Sequence, residues 1–170
     1  MSKLYSGPRV AVGVGVVLFV GAAAVAVHFY QQDSDRKAVL DAQDSAKAAA
    51  CDYAPTMANY DFTNLDTYFA GVLDGATGAW KTEFDGTSKD LREVLSQGQV
   101  VSKVGDVQCA IKSATEDSAE AIVVIGQSIT SVGTGGKPQP GQLSMVLSLE
   151  NVDGRWLVDK VDAPVLPAKP

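Results

Sequence analysis

The run from Val10 to Tyr30, VAVGVGVVLFVGAAAVAVHFY, holds 21 residues without an Asp, Glu, Lys or Arg. As a helix rising ~1.5 Å per residue it would reach roughly 32 Å. That is enough to cross a hydrocarbon core of about 30 Å. The run therefore predicts a transmembrane helix over residues 10–30, preceded by a short stub, residues 1–9. The alternative is a cleaved signal peptide, since Ala24-Val25-Ala26 has the small-residue pattern of a cleavage site. The apolar run continues past that point through Val27 and Phe29, and its length favours an uncleaved anchor. Lys3 and Arg9 precede the run, and Asp33 and Asp35 follow it. The bias of basic residues toward the cytoplasm places the stub inside and the rest of the chain on the exported, periplasmic side of the cell membrane. His28, the sole histidine, sits near the outer end of the run and reads as a neutral imidazole at the interface.

Residues 31–163 are enough for one exported domain, and residues 164–170 form a Pro-rich tail. The formal net charge is −6. No basic stripe interleaved with aromatics is present, which argues against nucleic acid as a partner. No polybasic segment offers itself to anionic headgroups, so the bilayer is a partner through the apolar run alone.

Val39, Ala42, Ala46, Ala49 and Ala50 recur at three- and four-residue steps, the pattern of an amphipathic helix with a small-residue face. Pro55 disfavours helix at Ala54 and predicts a break there. Asp61 or Thr63 is placed to cap a second helix, with Thr63-x-x-Asp66 resembling a capping box and Leu65, Phe69, Val72 and Leu73 as its buried stripe. Gly75 and Gly78 interrupt, Trp80 and Phe84 mark a short helical stretch, and Ser88 reads as the cap of a third helix ending at Gly98. The period then changes to two. Val107, Cys109 and Ile111 alternate with polar neighbours, as do Ala121, Val123, Ile125, Gln127 and Ile129, and then Leu143, Met145, Leu147 and Leu149. Residues 133–141 read as a Gly/Pro loop, and Asp153-Gly154 is a hairpin signal ahead of a last strand bearing Trp156, Val158 and Val161. Helices followed by strands predict an α+β domain, with about three helices packed on a curved antiparallel sheet of about four strands.

Cys51 and Cys109 both fall in the exported domain, where an oxidising compartment permits a disulfide between them. The other reading is two separate buried thiols acting as small apolar residues. Neither belongs to a CxxC motif, and with no histidine in the domain a histidine-based catalytic dyad or triad is excluded. No Cys/His/Asp/Glu cluster has metal-ligand spacing, and no cofactor fingerprint is present. Paired carboxylates remain. Asp61, Asp66, Asp74, Glu83 and Asp85 lie in the helical region; a buried Asp near Tyr60 or Tyr68 could transfer protons in a pocket, and the plainer reading is helix capping by Asp61 with solvated faces for the rest. Trp80 and Trp156 either line an apolar cavity or belong to the core.

Further stretches carry a family resemblance. These are Asn59-Tyr60-Asp61-Phe62-Thr63-Asn64-Leu65-Asp66; Val72-Leu73-Asp74-Gly75-Ala76-Thr77-Gly78 with Trp80 and Glu83-Phe84; Leu91-Arg92-Glu93-Val94; and Asp153-Gly154-Arg155-Trp156-Leu157-Val158. In this order and spacing the chain resembles the Mce-associated membrane proteins of actinobacteria, over the anchor and nearly the whole exported domain. The resemblance implies an exported domain similar to the nuclear-transport-factor-2-like (NTF2-like, cystatin-like) cone. It implies an accessory role without catalysis, stabilising or assembling a multi-subunit lipid importer, with transporter subunits and other Mce-associated proteins as partners. The alternatives are an exported binding domain for a lipid or small apolar molecule and, further off, an isomerase-like enzyme.

Overall fold

Alternation of apolar and polar residues sets the sheet. In a computed structural model describing residues 9–163, β1 is Tyr60–Asp61, β2 Val101–Ala114, β3 Ser118–Thr130, β4 Gln139–Val152 and β5 Arg155–Asp162. Every neighbouring pair is antiparallel, in the order β1-β2-β3-β4-β5. The sheet thus has five strands where the periodicity predicts about four. The extra one is the two-residue β1, hidden in a polar segment too short to show alternation. Ala121, Val123 and Ile125 of β3, with Met145, Leu147 and Leu149 of β4, form the buried face.

The helices are α1 Arg9–Ala58, α2 Leu65–Asp74 and α3 Gly78–Gln97. The chain divides into two compact units, Met1–Ala38 and Val39–Pro170. Side chains are described from residue 32 onward, except residue 35. The membrane-spanning expectation for Val10–Tyr30 falls outside those side chains, and residues 1–8 and the tail 164–170 lie outside the described residues altogether. Among the described residues, no helix is long and apolar enough to cross a membrane.

Within the second unit, α1 buries Ala46, Ala50, Tyr53, Ala54, Met57 and Ala58. Leu65, Phe69 and Val72 of α2 and Phe84 and Leu95 of α3 complete the helical side of the core. Three expectations about helix ends fail here. Pro55 does not break α1. The helix runs past it to Ala58, with Ala54, Met57 and Ala58 buried around it, although the ring removes one N–H bond and crowds the preceding turn. Ser88 caps nothing. It lies inside α3, and its hydroxyl donates to the Asp85 carbonyl at 2.7 Å. The capping box does not form either, because the Thr63 hydroxyl donates to Asp61 Oδ1 at 2.7 Å.

The N-terminus of α3 is instead served from across the fold. Thr77 makes no side-chain cap. The Ala79 N–H donates to Oδ1 of Asp159 on β5 at 3.2 Å. Val158 pairs with Leu149 and Lys160 with Ser148, leaving Asp159 as the extra residue of a β-bulge. The two-then-three spacing of Trp156, Val158 and Val161 is the trace of that bulge in the sequence. Gly78 has φ of +45°, and a Cβ there would run into the Asp159 carboxylate. The loop expected over 133–141 is also shorter than predicted. β4 begins at Gln139, and Pro140 sits opposite Ser128 where β5 does not reach, an edge position that tolerates proline.

Cys51 of α1 and Cys109 of β2 are joined in a disulfide, with Cα atoms 5.8 Å apart. The two-thiol alternative is thereby set aside. A second tie is polar. The Tyr53 hydroxyl donates to the Val72 carbonyl at 2.8 Å and accepts from Trp80 Nε1 at 2.9 Å. Burial pushes the Tyr53 phenol up to about 12, partly offset by the Trp80 bond.

Two outcomes follow for stability. The bridge closes a loop of 58 residues, and the loop-entropy model puts its contribution at about 4 kcal/mol at most. Cys51→Ser/Cys109→Ser should lower the thermal midpoint clearly, and thiol titration of the unfolded native protein should find no free thiol until reductant is added. Tyr53→Phe should cost about 1–3 kcal/mol in denaturant unfolding, because it strands the Trp80 N–H and the Val72 carbonyl.

Candidate functional site

A groove of about 510 Å³ opens where the end of α1, β1, α2 and the start of β2 meet. Each element contributes for a local reason. α1 stops at Ala58, and Asn59 closes its last turn by donating to the Pro55 carbonyl at 2.9 Å. Tyr60 then pairs with Ser102 and Asp61 with Val101, which sets β1 on the edge of β2. The chain turns back at Asp61, whose Oδ1 accepts from the Thr63 N–H at 2.9 Å, the Asx-turn geometry that reverses a backbone. α2 follows at once and presents Thr67, Tyr68 and Gly71 to the groove.

The floor is aromatic. The Tyr60 and Tyr68 rings lie 5.1 Å apart, inclined at 55°. Burial raises the Tyr60 phenol above its ordinary range, and the neighbouring Ser102 partly offsets this. Burial also raises Tyr68, reinforced by the phenols of Tyr60 and Tyr53. Ser102 is 1% exposed and donates to Gln127 Oε1 at 3.2 Å. The rim is polar, with Thr56, Asn59, Asp61, Asn64, Thr67 and Lys103 around it.

The structure therefore brings Tyr60 and Asp61 together at the groove and leaves Asp66 outside it. Asp66 lies on the solvent side of α2, 91% exposed, and pairs with Arg92 of α3 at 2.8 Å. Asp61 is exposed, and the two Thr63 bonds, followed by the Lys103 charge, hold its carboxyl below the ordinary range. The Tyr68 hydroxyl points elsewhere, toward the Met57 carbonyl at 3.4 Å. Asp61 is therefore not a buried acid: it is exposed and committed to a turn. Trp80 and Trp156 pack against the core and neither lines the groove, which resolves their two readings in favour of core. Among the described residues, no group of acidic, Cys or His side chains could hold a metal ion. Thr56, Thr67, Ser102 and Lys103 were not legible as site residues. Only their meeting in space marks them, since Ser102 and Lys103 are more than 40 positions from Tyr60.

With this geometry in hand, comparison with known proteins places the chain. A family described as "Uncharacterized protein Rv1363c/MT1408-like" matches residues 8–164. The chain belongs to the Rv1363c/MT1408-like family. Among its relatives, the Mycobacterium tuberculosis protein Rv1362c is 27% identical over 146 residues, covering 85% of this chain and 66% of its own length. Rv1363c of the same organism is 26% identical over 106 residues, covering 62% of this chain and 40% of its own. The chain thus spans two thirds or less of the length of these relatives.

Solved structures share the family's fold. An IcmL-like type IV secretion system protein from Legionella pneumophila superposes with a TM-score of 0.56 at 14% identity, over 73% of this chain and 94% of its own. The putative transfer protein TraH from the Gram-positive conjugative plasmid pIP501 gives 0.56 at 11% identity, over 75% and 97%. The fold of this Rv1363c/MT1408-like chain is accordingly an NTF2-like α+β cone, as the sequence resemblance implied.

The Asp61 environment carries a sign that can be checked. A carboxyl whose folded-state pKa is depressed stabilises the fold above its unfolded value, near 3.9. That contribution is lost as pH falls through the folded pKa. Asp61→Asn should therefore flatten the fall in thermal midpoint between neutral pH and about pH 3, and Asp61 should titrate below an ordinary aspartate in a carboxyl-detected NMR series.

Proposed function

We propose that the protein is a non-enzymatic, single-pass membrane accessory protein that stabilises or assembles an Mce-type lipid transport complex in the cell envelope. Its amino terminus would be cytoplasmic and its NTF2-like domain exported, held in the cell membrane by an uncleaved helix over residues 10–30. Transporter subunits and other Mce-associated proteins would be its partners. The observation that supports this reading is the setting of Asp61. The one carboxylate lining the groove is exposed, and its Oδ1 accepts the Thr63 N–H and hydroxyl, so it serves a turn and is not buried beside a groove phenol. The disulfide is consistent with an oxidising, exported setting. The solved neighbours are described as parts of secretion and conjugative transfer systems, which supports an assembly role for such a domain.

Affinity purification of the tagged full-length chain from membranes in mild detergent tests this. Transporter subunits should co-purify, and deleting the gene should lower their steady-state levels. Recovery of the chain without any such subunit, together with unchanged subunit levels in the deletion strain, would remove the proposal.

A further inference from the structure

The groove has a chemistry that the assembly role does not use. Two neutral phenol rings, Tyr60 and Tyr68, line it together, their centroids 5.1 Å apart and inclined at 55°. Its rim is mainly neutral amide and hydroxyl: Thr56, Asn59, Asn64 and Thr67. The two charged residues that line it, Asp61 and Lys103, are of opposite sign. Lys103 forms no ion pair within 4.0 Å among the described residues, so no tight pair closes the mouth. The volume, about 510 Å³, lies in the range of small-molecule sites.

These features select a ligand class by exclusion. A fatty chain needs a continuous apolar lining, and hydroxyls and amides interrupt this one. A phosphate or other anion needs converging cations, and one lysine balanced by one carboxylate does not supply them. A compact neutral ring with many hydroxyls meets both conditions. Its C–H face can lie on an aromatic ring, whose face carries partial negative charge. Its hydroxyls can each donate and accept, which suits side chains such as Asn, Thr and Ser that do both.

We propose that this groove binds a neutral polyhydroxylated ring, a sugar presented either free or as the headgroup of a glycolipid. The Tyr60 and Tyr68 rings form the stacking floor, and Asn59, Asn64 and Thr67 supply the rim hydrogen bonds. The site is independent of the assembly reading, and either can fail without the other.

Saturation-transfer NMR on the full-length chain in phosphatidylcholine nanodiscs, with octyl glucoside and decanoate added only as dilute probes that leave the nanodiscs intact, tests it. The probes are the methyl glycosides of glucose, galactose and mannose, myo-inositol, octyl glucoside, inorganic phosphate and decanoate. Ring protons of at least one neutral probe should take up saturation, with Kd in the millimolar range or tighter, about 4 kcal/mol. Asn59→Ala and Thr67→Val, both exposed and outside the core, should each weaken binding about fivefold, the loss expected of one neutral hydrogen bond. The Asn59→Ala midpoint should stay at the wild-type value, whereas Thr67→Val also removes the bond that the Thr67 hydroxyl donates to Asn64 Oδ1 at 3.0 Å, and its binding loss is read on the folded protein. A gain for octyl over methyl glucoside assigns the site to a glycolipid headgroup, and equal affinity assigns it to free sugar. The proposal is overturned by absence of saturation from every neutral probe at about 20 mM, by tighter binding of phosphate or decanoate, or by sugar binding that both variants leave unchanged.

Discussion

One buried hydroxyl holds three helices of this fold in register. Tyr53 sits on α1, gives its proton to a carbonyl at the end of α2, and receives one from the indole of Trp80 on α3. In a dry environment such bonds are worth most as a condition, since each missing partner would leave a desolvated polar group behind. The α2–α3 turn is shaped around this ring. A Cβ on Gly75 would collide with the Tyr53 ring edge, so the turn can approach α1 only with glycine there. The same turn is stitched to the sheet, since Thr77 donates to the Val158 carbonyl at 2.8 Å and Val158 donates to the Gly75 carbonyl at 2.9 Å. Helices and sheet meet at this corner through a handful of directional bonds. The apolar core then fills the space they define.

Much of this was legible in the sequence, and the pattern of what was not is physical. Period-two alternation in β3 and β4 and the Asp153-Gly154 turn are local signals, and they gave correct strands and a correct hairpin. Gly75 and Gly78 marked the α2–α3 boundary because backbone conformation and close approach are written into residue type. Ser88 misled because a serine inside a helix can bond back to a preceding carbonyl as readily as it can cap a new one. Pro55 does not end α1 because Ala54, Met57 and Ala58 are buried on either side of it, a tertiary effect that local sequence does not carry. The cap of α3 was out of reach altogether. It is a carboxylate about 80 residues away, displaced toward α3 by a bulge that shows in sequence only as an irregular spacing.

The candidate site divides along the same line. Tyr60 and Asp61 stood out as polar and aromatic residues between two helices, and both line the groove. Asp66, equally conspicuous, faces Arg92 on the other side of α2. A helix turns ~100° per residue, so the residue after Leu65, itself buried, was bound to face away from the core. Ser102 and Lys103 were invisible, since only the pairing of β1 with β2 brings them to the groove.

The disulfide takes on a further meaning in this geometry. It joins α1 to β2, the same two elements that supply opposite walls of the groove, Pro55 to Asn59 on one side and Val101 to Lys103 on the other. β1 alone would hold those walls weakly, because a two-residue strand contributes little pairing and sits at the sheet edge. Side-chain packing between α1 and β2 is also modest near the groove, where Val104 and Val107 are only partly buried. A covalent tie between Cys51 and Cys109 limits how far the walls can separate without demanding that residues lining the groove be apolar or tightly packed. The lining is accordingly mixed, with Pro55, Val101 and the two tyrosines beside hydroxyls and amides. In a domain of this size, polar groove walls and a rigid groove are otherwise competing requirements.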